Sequence, residues 1–331
     1  MIIVTGGAGF IGSAFIHKLN QEKITDILVV DHLSTSEKWK NLVTLQYRDY
    51  LHKDEFLDMM LDDALENVEA IFHLGACSST TEKDMDYLMK NNVEYTQILH
   101  QWAMDHEVYF MYASSAATYG AERRCFDDTH DTIPQLVPIN RYGYSKQLVD
   151  RYLHQNDWLD TSVGLKFFNV FGPNEYHKES MKSVVCKAYD QICDTGSVKL
   201  FKSYDADYGH GDQMRDFIYV QDCVEMMWWL YQHPQHKGIY NIGTGQARSW
   251  NDLVNAIFSA LDQPVHIEYI DMPESIRAHY QYFTQANMTK LIQAGYSQPM
   301  SSLEDAVTDY VQHYLSVQKH FSSIKQLSIS D

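Results

Sequence analysis

The first half of the chain alternates short apolar runs, rich in β-branched residues, with longer segments whose apolar positions recur at helical spacing. This alternation predicts parallel strands joined by helical crossovers, and the near-continuous apolar runs indicate strands covered on both faces. The predicted strands are Ile2–Thr5, Ile27–Asp31, Ala70–Leu74, Tyr109–Ala113 and Ser162–Phe168. The helices predicted between them are Ile11–Gln21, Lys53–Leu65, Met85–Asp105 and Tyr142–His154. The pattern therefore predicts an α/β architecture.

The pattern loosens after Phe168, and no Pro- or Gly-rich linker separates the two parts. Further helices are predicted near Ser183–Asp194, Asp222–Gln232 and Ser249–Leu261, strand-like runs at Asp216–Val220 and Gly238–Ile242, and a polar loop over Lys202–Met214. We expect a Rossmann-type doubly wound parallel sheet over residues 1–168, which also receives segments near 215–245. We expect residues 169–214 and 246–316 to form mainly a smaller α/β lobe over a cleft, and residues 317–331 to form a C-terminal tail.

Composition narrows the possible partners. The 331 residues include 26 Lys and Arg against 44 Asp and Glu, a formal net charge of −18, which argues against nucleic acid because phosphate binding needs a cationic surface. No apolar run approaches the ~20 residues that cross a bilayer, so no membrane partner is expected. Five cysteines without a C-x-x-C pair favour reduced thiols and a cytoplasmic location. Neither they nor the 16 histidines show zinc-like spacing, so no metal is predicted.

The stretch Val4–Gly12, VTGGAGFIG, follows a predicted strand and opens a predicted helix. Gly6, Gly9 and Gly12 let the backbone turn tightly and approach a pyrophosphate, while the helix N-terminus offers free N–H groups to the phosphates. Glycines also serve plain turns, but this position between strand and helix is that of a dinucleotide fingerprint. The stretch therefore predicts a dinucleotide site.

Two residues near the second predicted strand bear on which dinucleotide binds. Asp31 ends that strand, 19 residues beyond Gly12, where a carboxylate usually accepts hydrogen bonds from the adenosine ribose and favours NAD. Lys38 follows seven residues later, and a cation there could hold a 2′-phosphate and favour NADP. The spacing alone leaves both cofactors open.

Tyr142 and Lys146 lie four residues apart and would share one face of a helix. A neighbouring ammonium lowers the pKa of a phenol from about 10, so the phenol can exchange a proton with an alcohol while hydride moves to or from nicotinamide. This spacing is also common in amphipathic surface helices. Ser115 lies just past a predicted strand, at the sheet edge where such folds bind ligands, and its hydroxyl can polarise the same oxygen. Otherwise it would be a helix cap or turn residue.

Further motifs accompany these residues: Phe72–Ala76, Asn169–Pro173 and Arg215–Asp222. With them the chain resembles, over nearly its full length, the extended short-chain dehydrogenase/reductase superfamily of nucleotide-sugar enzymes, the NAD-dependent epimerase/dehydratases. Three segments are more specifically similar to the ADP-L-glycero-D-manno-heptose 6-epimerases, as is the opening through Thr25–Asp31: these are Gly75–Glu82, Ser114–Gly120 and Phe283–Ala286.

The resemblance implies a role for each matching position, and NADP as the cofactor, with NAD possible. The implied catalytic residues are Ser115, Tyr142, Lys146 and Lys178. The residues implied around the dinucleotide are Gly6, Gly9, Phe10, Ile11, Gly12, Asp31, His32, Lys38, Lys53, Leu74, Gly75, Ala76, Cys77, Ser78, Asn91, Lys146, Val170 and Lys178. Those implied around the sugar nucleotide are Asn169, Ser180, Lys187, Phe201, Lys202, Ser203, Arg215 and Tyr280.

Some of these positions have a plainer interpretation or depart from the family. A lone lysine such as Lys178 in a polar loop is usually a solvated charge, and only the matching motif singles it out. Arg215 would first be taken for a structural ion pair with Asp216 or another acid, and in the functional interpretation its planar fork grips a diphosphate oxygen. Leu74 stands where these epimerases often have Glu, Lys187 where a histidine is expected, and the 202–214 loop is longer than usual and acidic.

The resulting hypothesis is inversion at C6 of ADP-D-glycero-D-manno-heptose through a transient 6-keto intermediate, with bound NADP⁺. An epimerase acting at C4 is an open alternative, because it would share Ser115, Tyr142 and Lys146. A 4,6-dehydratase is disfavoured, because Ala116 and Ala117 stand where acidic residues would be needed. A non-catalytic dinucleotide-binding protein is the alternative from another class. The resemblance further implies a homo-oligomer, a pentamer by analogy, and a step in lipopolysaccharide biosynthesis.

Overall fold

The computed structural model describes residues 1–120, 126–277 and 280–323. The strands are β1 Ile2–Thr5, β2 Ile27–Asp31, β3 Asp49–His52, β4 Ala70–His73, β5 Tyr109–Ser115, β6 Val163–Phe167, β7 Asn169–Phe171, β8 Val198–Phe201, β9 Met214–Tyr219, β10 Gly238–Ile242, β11 Ala247–Ser249 and β12 Ile267–Ile270. The α-helices are α1 Phe10–Gln21, α2 Lys53–Leu61, α3 Met85–Leu88, α4 Tyr95–Asp105, α5 Arg141–Gln155, α6 Val184–Thr195, α7 Val220–Gln232, α8 Trp250–Ala260, α9 Glu274–Arg277, α10 Thr289–Gln293 and α11 Leu303–Tyr310.

Seven strands form one parallel sheet in the order β10-β6-β5-β4-β1-β2-β3. The chain reverses its direction of winding between β1 and β4, which is where doubly wound sheets bind ligands beyond the carboxyl ends of their strands. Every strand predicted in the first half is present, with ends within two residues of the prediction. The Rossmann-type fold class is therefore confirmed.

Apolar residues on both faces of the sheet explain why its strands are continuous apolar runs. Ile2 and Val4 of β1 pack with α1 and α7 on one face, whereas Ile3 packs with α2, α4 and α5 on the other. Successive side chains of a strand point to opposite faces, so a strand covered on both sides needs an apolar residue at every position. Burial of these side chains on both faces fixes the sheet between its two helical layers.

The smaller lobe contains two short sheets, β11-β9-β7 and β12-β8. Of the segments near 215–245, Gly238–Ile242 joins the large sheet beside β6, whereas Met214–Tyr219 pairs with β7 and β11. The apolar pattern does not predict the edge strand β3. Its residues are mostly polar and partly exposed, as an edge strand allows. The predicted helix Met85–Asp105 is broken by a π-helical turn over Met89–Glu94. The domain boundaries themselves stay a prediction.

The segment after residue 317 is not simply a tail. Phe321 is 3% exposed and its ring stacks on His17 of α1, with ring centroids 4.9 Å apart. The carbonyl of Phe321 accepts a hydrogen bond of 2.6 Å from the Thr44 hydroxyl. Through Ser323 this segment is part of the body, and the rest of the expected tail, 324–331, lies outside the described residues.

Two glycines allow the turn between β1 and α1 to fold as it does. Gly6 has a φ of +66°, and a Cβ added there would lie 2.6 Å from the Cα of Gly75 at the end of β4. A Cβ added at Gly12 would lie 2.1 Å from the carbonyl oxygen of Gly6, so any side chain would push the helix away from the turn. Close packing of backbone on backbone is therefore what the two positions require.

Gly12→Ala should lower the free energy of unfolding by at least about 3 kcal/mol, because the Cβ meets backbone that cannot yield. Urea unfolding measures this change. Gly196→Ala is the matched control, since Gly196 has a φ of +71° with no described atom within 4 Å of an added Cβ, and strain alone should cost about 1 kcal/mol there. Equal costs for the two variants would contradict the steric argument.

Candidate active site

A cleft of about 670 Å³ opens beyond the carboxyl ends of β1, β4, β5 and β6, and the smaller lobe forms its other wall. The cleft brings together residues from both parts of the sequence, as we expected because no linker separates the two parts. The sequence-predicted residues that line the cleft are Gly6, Gly9, Phe10, Ile11, Gly12, Asp31, Lys38, Leu74, Gly75, Ala76, Cys77, Ser78, Ser115, Tyr142, Lys146, Asn169, Val170 and Lys178.

The glycine turn fits a dinucleotide phosphate. Gly9 is the N-cap of α1 and has no side chain with which to satisfy the first N–H groups of the helix. Those N–H groups and the helix dipole therefore remain free for an anion at the cleft. Gly75, which approaches Gly6, likewise has no side chain that could block a ligand at the turn. The observed cradle thus suits a pyrophosphate.

Asp31 and Lys38 form an ion pair, with 2.6 Å between Lys38 Nζ and Asp31 Oδ1. The carboxylate also accepts the N–H of Ala8 at 2.8 Å and that of His32 at 2.6 Å. Asp31 therefore braces the glycine turn while Lys38 offsets its charge. The sequence presented the two residues as rivals, one for each cofactor, but the structure uses them together.

A side pocket of about 160 Å³ continues from this ion pair. His32, Lys53 and Asn91 line it, together with Asp31 and Lys38. Lys53 Nζ donates to Asn91 Oδ1 at 3.1 Å. The pocket therefore gathers two lysines and a histidine at the end of the cleft where the ribose of the dinucleotide would lie.

Ser115, Tyr142 and Lys146 meet at the cleft, but not in the way that their spacing indicated. Tyr142 hydrogen-bonds to Ser115, while Lys146 Nζ donates to the carbonyl of Ala113 at 2.9 Å. Burial raises the pKa of Tyr142, and the Ser115 hydrogen bond acts in the opposite direction. The expectation that Lys146 lowers the pKa of this phenol is therefore wrong in this structure, because the ammonium is directed at backbone.

Burial lowers the pKa of Lys146 from 10.5 to about 8, and the nearby Asp150 opposes this shift. Asp150 lies one helical turn beyond Lys146 and is fully buried. Its carboxylate pairs with Lys166 Nζ at 3.0 Å, and Lys166 is itself only 1% exposed. Because Lys166 takes up much of the Asp150 charge, Lys146 keeps a depressed pKa.

The same carboxylate ties the elements of the site together. Asp150 accepts the hydroxyl of Tyr112 at 2.9 Å and that of Ser114 at 2.8 Å, while Lys166 also donates to Thr118 at 2.6 Å. These residues join β5, α5, β6 and the short 3₁₀-helix Ala116–Tyr119. The sequence analysis missed Asp150 and Lys166. A lysine inside an apolar strand, and an acid one turn after Lys146, were the signals available.

Another polar link runs behind the turn after β4. Asn92, in the π-helical turn, accepts the N–H of Cys77 at 2.8 Å and donates to its carbonyl at 3.0 Å. Asn92 also donates to the Ser145 hydroxyl on α5 at 3.1 Å. The segment around Cys77 that lines the cleft is therefore fixed through its backbone, and this link also went unpredicted.

Lys178 lies on the 3₁₀-helix Tyr176–Met181 and lines the same cleft as the trio, and its ammonium is 5.4 Å from the centre of the Phe10 ring. Burial lowers the pKa of Lys178; nearby Glu175 opposes this shift and Lys187 reinforces it. The next residue, Glu179, has a φ of +47° and a ψ of −118°, a strained conformation for a residue with a Cβ. The structure thus brings a second amine of lowered pKa to the cleft.

Arg215 is 8% exposed and donates to the carbonyls of Met214 and Gln281. Among the described residues the expected ion pair with Asp216 is absent: Asp216 accepts instead from Thr244 and from the backbone of Gly245 and Ala286. The Arg215 guanidinium lies 5.7 Å from the Trp250 ring and 5.3 Å from the Tyr280 ring. A buried guanidinium with aromatic rather than acidic neighbours suits an anionic ligand.

Arg215 and Tyr280 are not among the residues that line the cleft, although their neighbour Trp250 is, and the other predicted substrate residues besides Asn169 are also absent from the lining. Lys187 Nζ donates to the carbonyl of Ser180 at 2.5 Å. Phe201 ends β8, Lys202 pairs with Asp271 at 3.2 Å, and Ser203 donates to the Asp205 carbonyl at 2.9 Å. Their roles stay predictions. Within the described ranges, no three His, Cys, Asp or Glu side chains group as metal ligands would, and no helix is long and apolar enough to span a membrane.

Comparison with known proteins gives a consistent result. Residues 2–243 match the NAD dependent epimerase/dehydratase family. An ADP-L-glycero-D-manno-heptose-6-epimerase of Nitratidesulfovibrio vulgaris is 56% identical over 97% of this chain and all of its own length. One of Fusobacterium nucleatum is 46% identical over 95% of this chain and 98% of its own.

Solved structures agree. The Helicobacter pylori ADP-L-glycero-D-manno-heptose-6-epimerase superposes with a TM-score of 0.78 at 28% identity, covering 94% of this chain and 95% of its own. A UDP-N-acetylglucosamine 4-epimerase of Methanobrevibacter ruminantium reaches 0.80 at 23% identity, covering 96% and 98%, and at that identity it shows the fold alone.

The lowered pKa of Lys146 predicts how stability depends on pH. Unfolded chains bind this proton up to pH ~10.5 but the folded protein releases it near pH 8, so the free energy of unfolding rises across that window by about 3 kcal/mol. Urea unfolding between pH 7 and 10.5 should show this rise, and Lys146→Met should lose it. Tyr142→Phe, which keeps the amine, is the control and should retain it. Parallel curves for wild type and Lys146→Met would exclude the buried amine as the source.

Proposed function

The chain belongs to the NAD-dependent epimerase/dehydratase family, and from this we propose that it is an isomerase that converts ADP-D-glycero-D-manno-heptose to ADP-L-glycero-D-manno-heptose. The named relatives at 46–56% identity over nearly the whole chain support this choice of sugar nucleotide. The single structural observation that carries the proposal is the pair of proton-transfer groups, Tyr142 and Lys178, which line one cleft from different elements. Two proton carriers in one cleft would let one group take the hydroxyl proton and the other return a proton after the ketone has turned.

The directions of the pKa shifts suggest a division of labour. The amine of Lys178 has a lowered pKa, so it gives up its proton more easily and can serve as a base. The phenol of Tyr142 has a raised pKa, so it keeps its proton and can serve as an acid, oriented by its bond to Ser115. In the proposed reaction one of the two takes the C6 hydroxyl proton as C6 becomes a ketone. After the ketone has turned in the cleft, the other returns a proton to its oxygen.

A bound nicotinamide dinucleotide would supply the acceptor and then the donor of hydride, so the reaction is balanced without any other oxidant or reductant. Ser115 would polarise the sugar oxygen during both transfers. Lys146 would bind the ribose of the cofactor and would keep a positive charge close to Tyr142. Arg215, with Tyr280 and Trp250 around it, would grip the diphosphate, whose charge is hard to accommodate on a chain of net charge −18.

We further propose NADP as the cofactor. The support is the side pocket, where Lys38 and Lys53 could both reach a 2′-phosphate, while the charge of Asp31 is already offset by Lys38. NAD would leave this pocket without its anion. A homo-oligomer, pentameric by analogy, and a step towards lipopolysaccharide are proposals that rest on the resemblance alone. A cytoplasmic location is a proposal that rests on the five cysteines without a C-x-x-C pair.

Incubation with ADP-D-glycero-D-manno-heptose, followed by NMR, should show inversion at C6. Tyr142→Phe and Lys178→Met should each lower kcat by about 10²–10⁴-fold, because each removes a positioned proton carrier. Tyr144→Phe is the control: Tyr144 lies two residues along the same helix and is 45% exposed, so activity should be retained. Turnover of UDP-galactose instead of the heptose would favour the C4 epimerase. Binding of cofactor without turnover of either sugar would favour a non-catalytic role.

Lys38→Ala should weaken NADP binding about 10- to 100-fold, the loss expected for a hydrogen bond to a charged phosphate, and should leave NAD binding within a few-fold. Fluorescence titration of each dinucleotide measures both affinities. Lys40→Ala is the control, because Lys40 is exposed on the same short helix and pairs with Glu37 at 2.5 Å. Equal losses for NADP and NAD would refute the phosphate assignment.

A further inference from the structure

Two fully buried asparagines, Asn41 and Asn174, are joined by a hydrogen bond from the side chain of one to the backbone carbonyl of the other. Asn41 Nδ2 donates to the carbonyl of Ala8, in the glycine turn, at 2.9 Å and to the carbonyl of Asn174 at 3.0 Å. Asn41 Oδ1 contacts His320 Nδ1 at 2.8 Å. Asn41 therefore joins the glycine turn, the segment before Lys178 and the C-terminal residues at one buried point.

Asn174 completes this junction from the other side. It has a φ of +75°, which an asparagine tolerates better than most residues. Its side-chain nitrogen donates to the Ser13 hydroxyl of α1 at 2.9 Å, and its side-chain oxygen accepts the N–H of Phe321 at 3.0 Å. Both ends of the amide are thus used, one by the helix that follows the glycine turn and one by the C-terminal segment.

Residues 318–323, here called the terminal strap, run across this junction. Besides the bonds from His320 and Phe321, the carbonyl of Lys319 accepts the Tyr176 hydroxyl at 2.7 Å. At the end of the strap, the backbone N–H of Ser323 donates to the carbonyl of Thr44 at 3.0 Å. The strap therefore contacts the short helix that carries Lys178 and also the segment that follows Lys38 and Asn41.

The position of the junction matters because of what lies next to it in the chain. Lys38 precedes Asn41 by one turn of the 3₁₀-helix Glu37–Asn41, and Lys178 follows Asn174 by four residues. The helix that carries Lys178 includes the strained Glu179, so its conformation needs support from outside. That support comes from Glu175, which is bonded to Ser183 and Tyr310, and from the strap.

We propose that the terminal strap and the Asn41–Asn174 pair are positioning residues, which hold Lys178 and Lys38 at fixed places beside the glycine turn. The proposal deepens the proposed function and rests on the roles given there to the two lysines. A purely structural strap would cover the apolar ring surfaces of His17 and Tyr314 and have no effect on proton transfer. The two possibilities predict different kinetics.

The first test compares two truncations of the full chain. Removal of residues 318–331 deletes the strap, and removal of 324–331 keeps it. The longer truncation should lower kcat about 10- to 100-fold, the effect of misplacing a reacting group by roughly 1 Å, and should speed amide hydrogen exchange in the 174–183 segment. The shorter truncation should match wild type in both. Unchanged exchange and kcat after loss of the strap would overturn the proposal.

The second test uses point variants, so that it does not depend on a truncated chain folding. Asn174→Gly keeps the positive φ but removes both side-chain hydrogen bonds, and should lower kcat about tenfold. At saturating NADP, where any effect through Lys38 on cofactor binding is removed, the same change in a Lys178→Met background should have almost no further effect on kcat, because kcat depends on the position of Lys178. An equal loss in both backgrounds would mean a general structural role and refute the proposal.

A matched pair of histidines separates the strap from nearby surface. His320→Ala should speed exchange in the 174–183 segment and weaken NADP binding several-fold, while His313→Ala, an exposed residue paired with Asp309, should do neither. Exchange and NADP affinity are read without any sugar substrate. If wild type failed to epimerise the heptose, the proposed function would fall while these two measurements still decided the role of the strap; equal behaviour of the two histidine variants would count against it.

Discussion

The buried carboxylate of Asp150 is the constraint on which the arrangement of the site depends. A carboxylate without water must be matched by donors or by a cation, since an unmatched one costs several kcal/mol. Here the donors come from two positions of β5 and the cation from β6, while Asp150 itself lies on α5. Ser115 ends β5, and Tyr142 and Lys146 lie on α5. Because the buried Asp150 carboxylate must have these partners, it fixes β5 and α5 relative to each other, and with them the groups that would do the chemistry.

The positive charge in the cleft results from where the fold places the lysines, and not from an excess of basic residues in the sequence. The chain is strongly acidic, yet Lys38, Lys146, Lys178 and Lys182 all line this one cleft. Burial lowers the pKa of Lys146 and of Lys178, whereas Lys38 forms an ion pair with Asp31. Differences in burial and in partners thus give similar side chains different tasks.

The fold was largely predictable because strands covered on both faces must be apolar throughout, and β1, β2 and β10 have the predicted ends. The polar edge strand β3 and the π-helical turn carry no such pattern. Among the candidate site residues, the glycines, Ser115, Tyr142 and Lys178 were predicted from motifs, and all of them line one cleft. The sequence did not predict the partner of each charged side chain. Lys146 donates to a backbone carbonyl and Lys38 forms an ion pair with Asp31. Arg215 donates to backbone carbonyls and has no carboxylate partner within the described residues. Such choices follow from three-dimensional proximity, which spacing along the chain does not encode.

The π-helical turn at Met89–Glu94 has a consequence for how this chain can vary. A wider turn holds one more residue than an α-helical one, and this extra residue sets the angle at which Asn92 meets Cys77 and Ser145. Deleting one residue there would restore regular winding and rotate everything upstream by ~100° relative to α4. Exchanging side chains along that helix would leave the backbone in register, whereas shortening it at this place would move Asn92 away from Cys77 and Ser145.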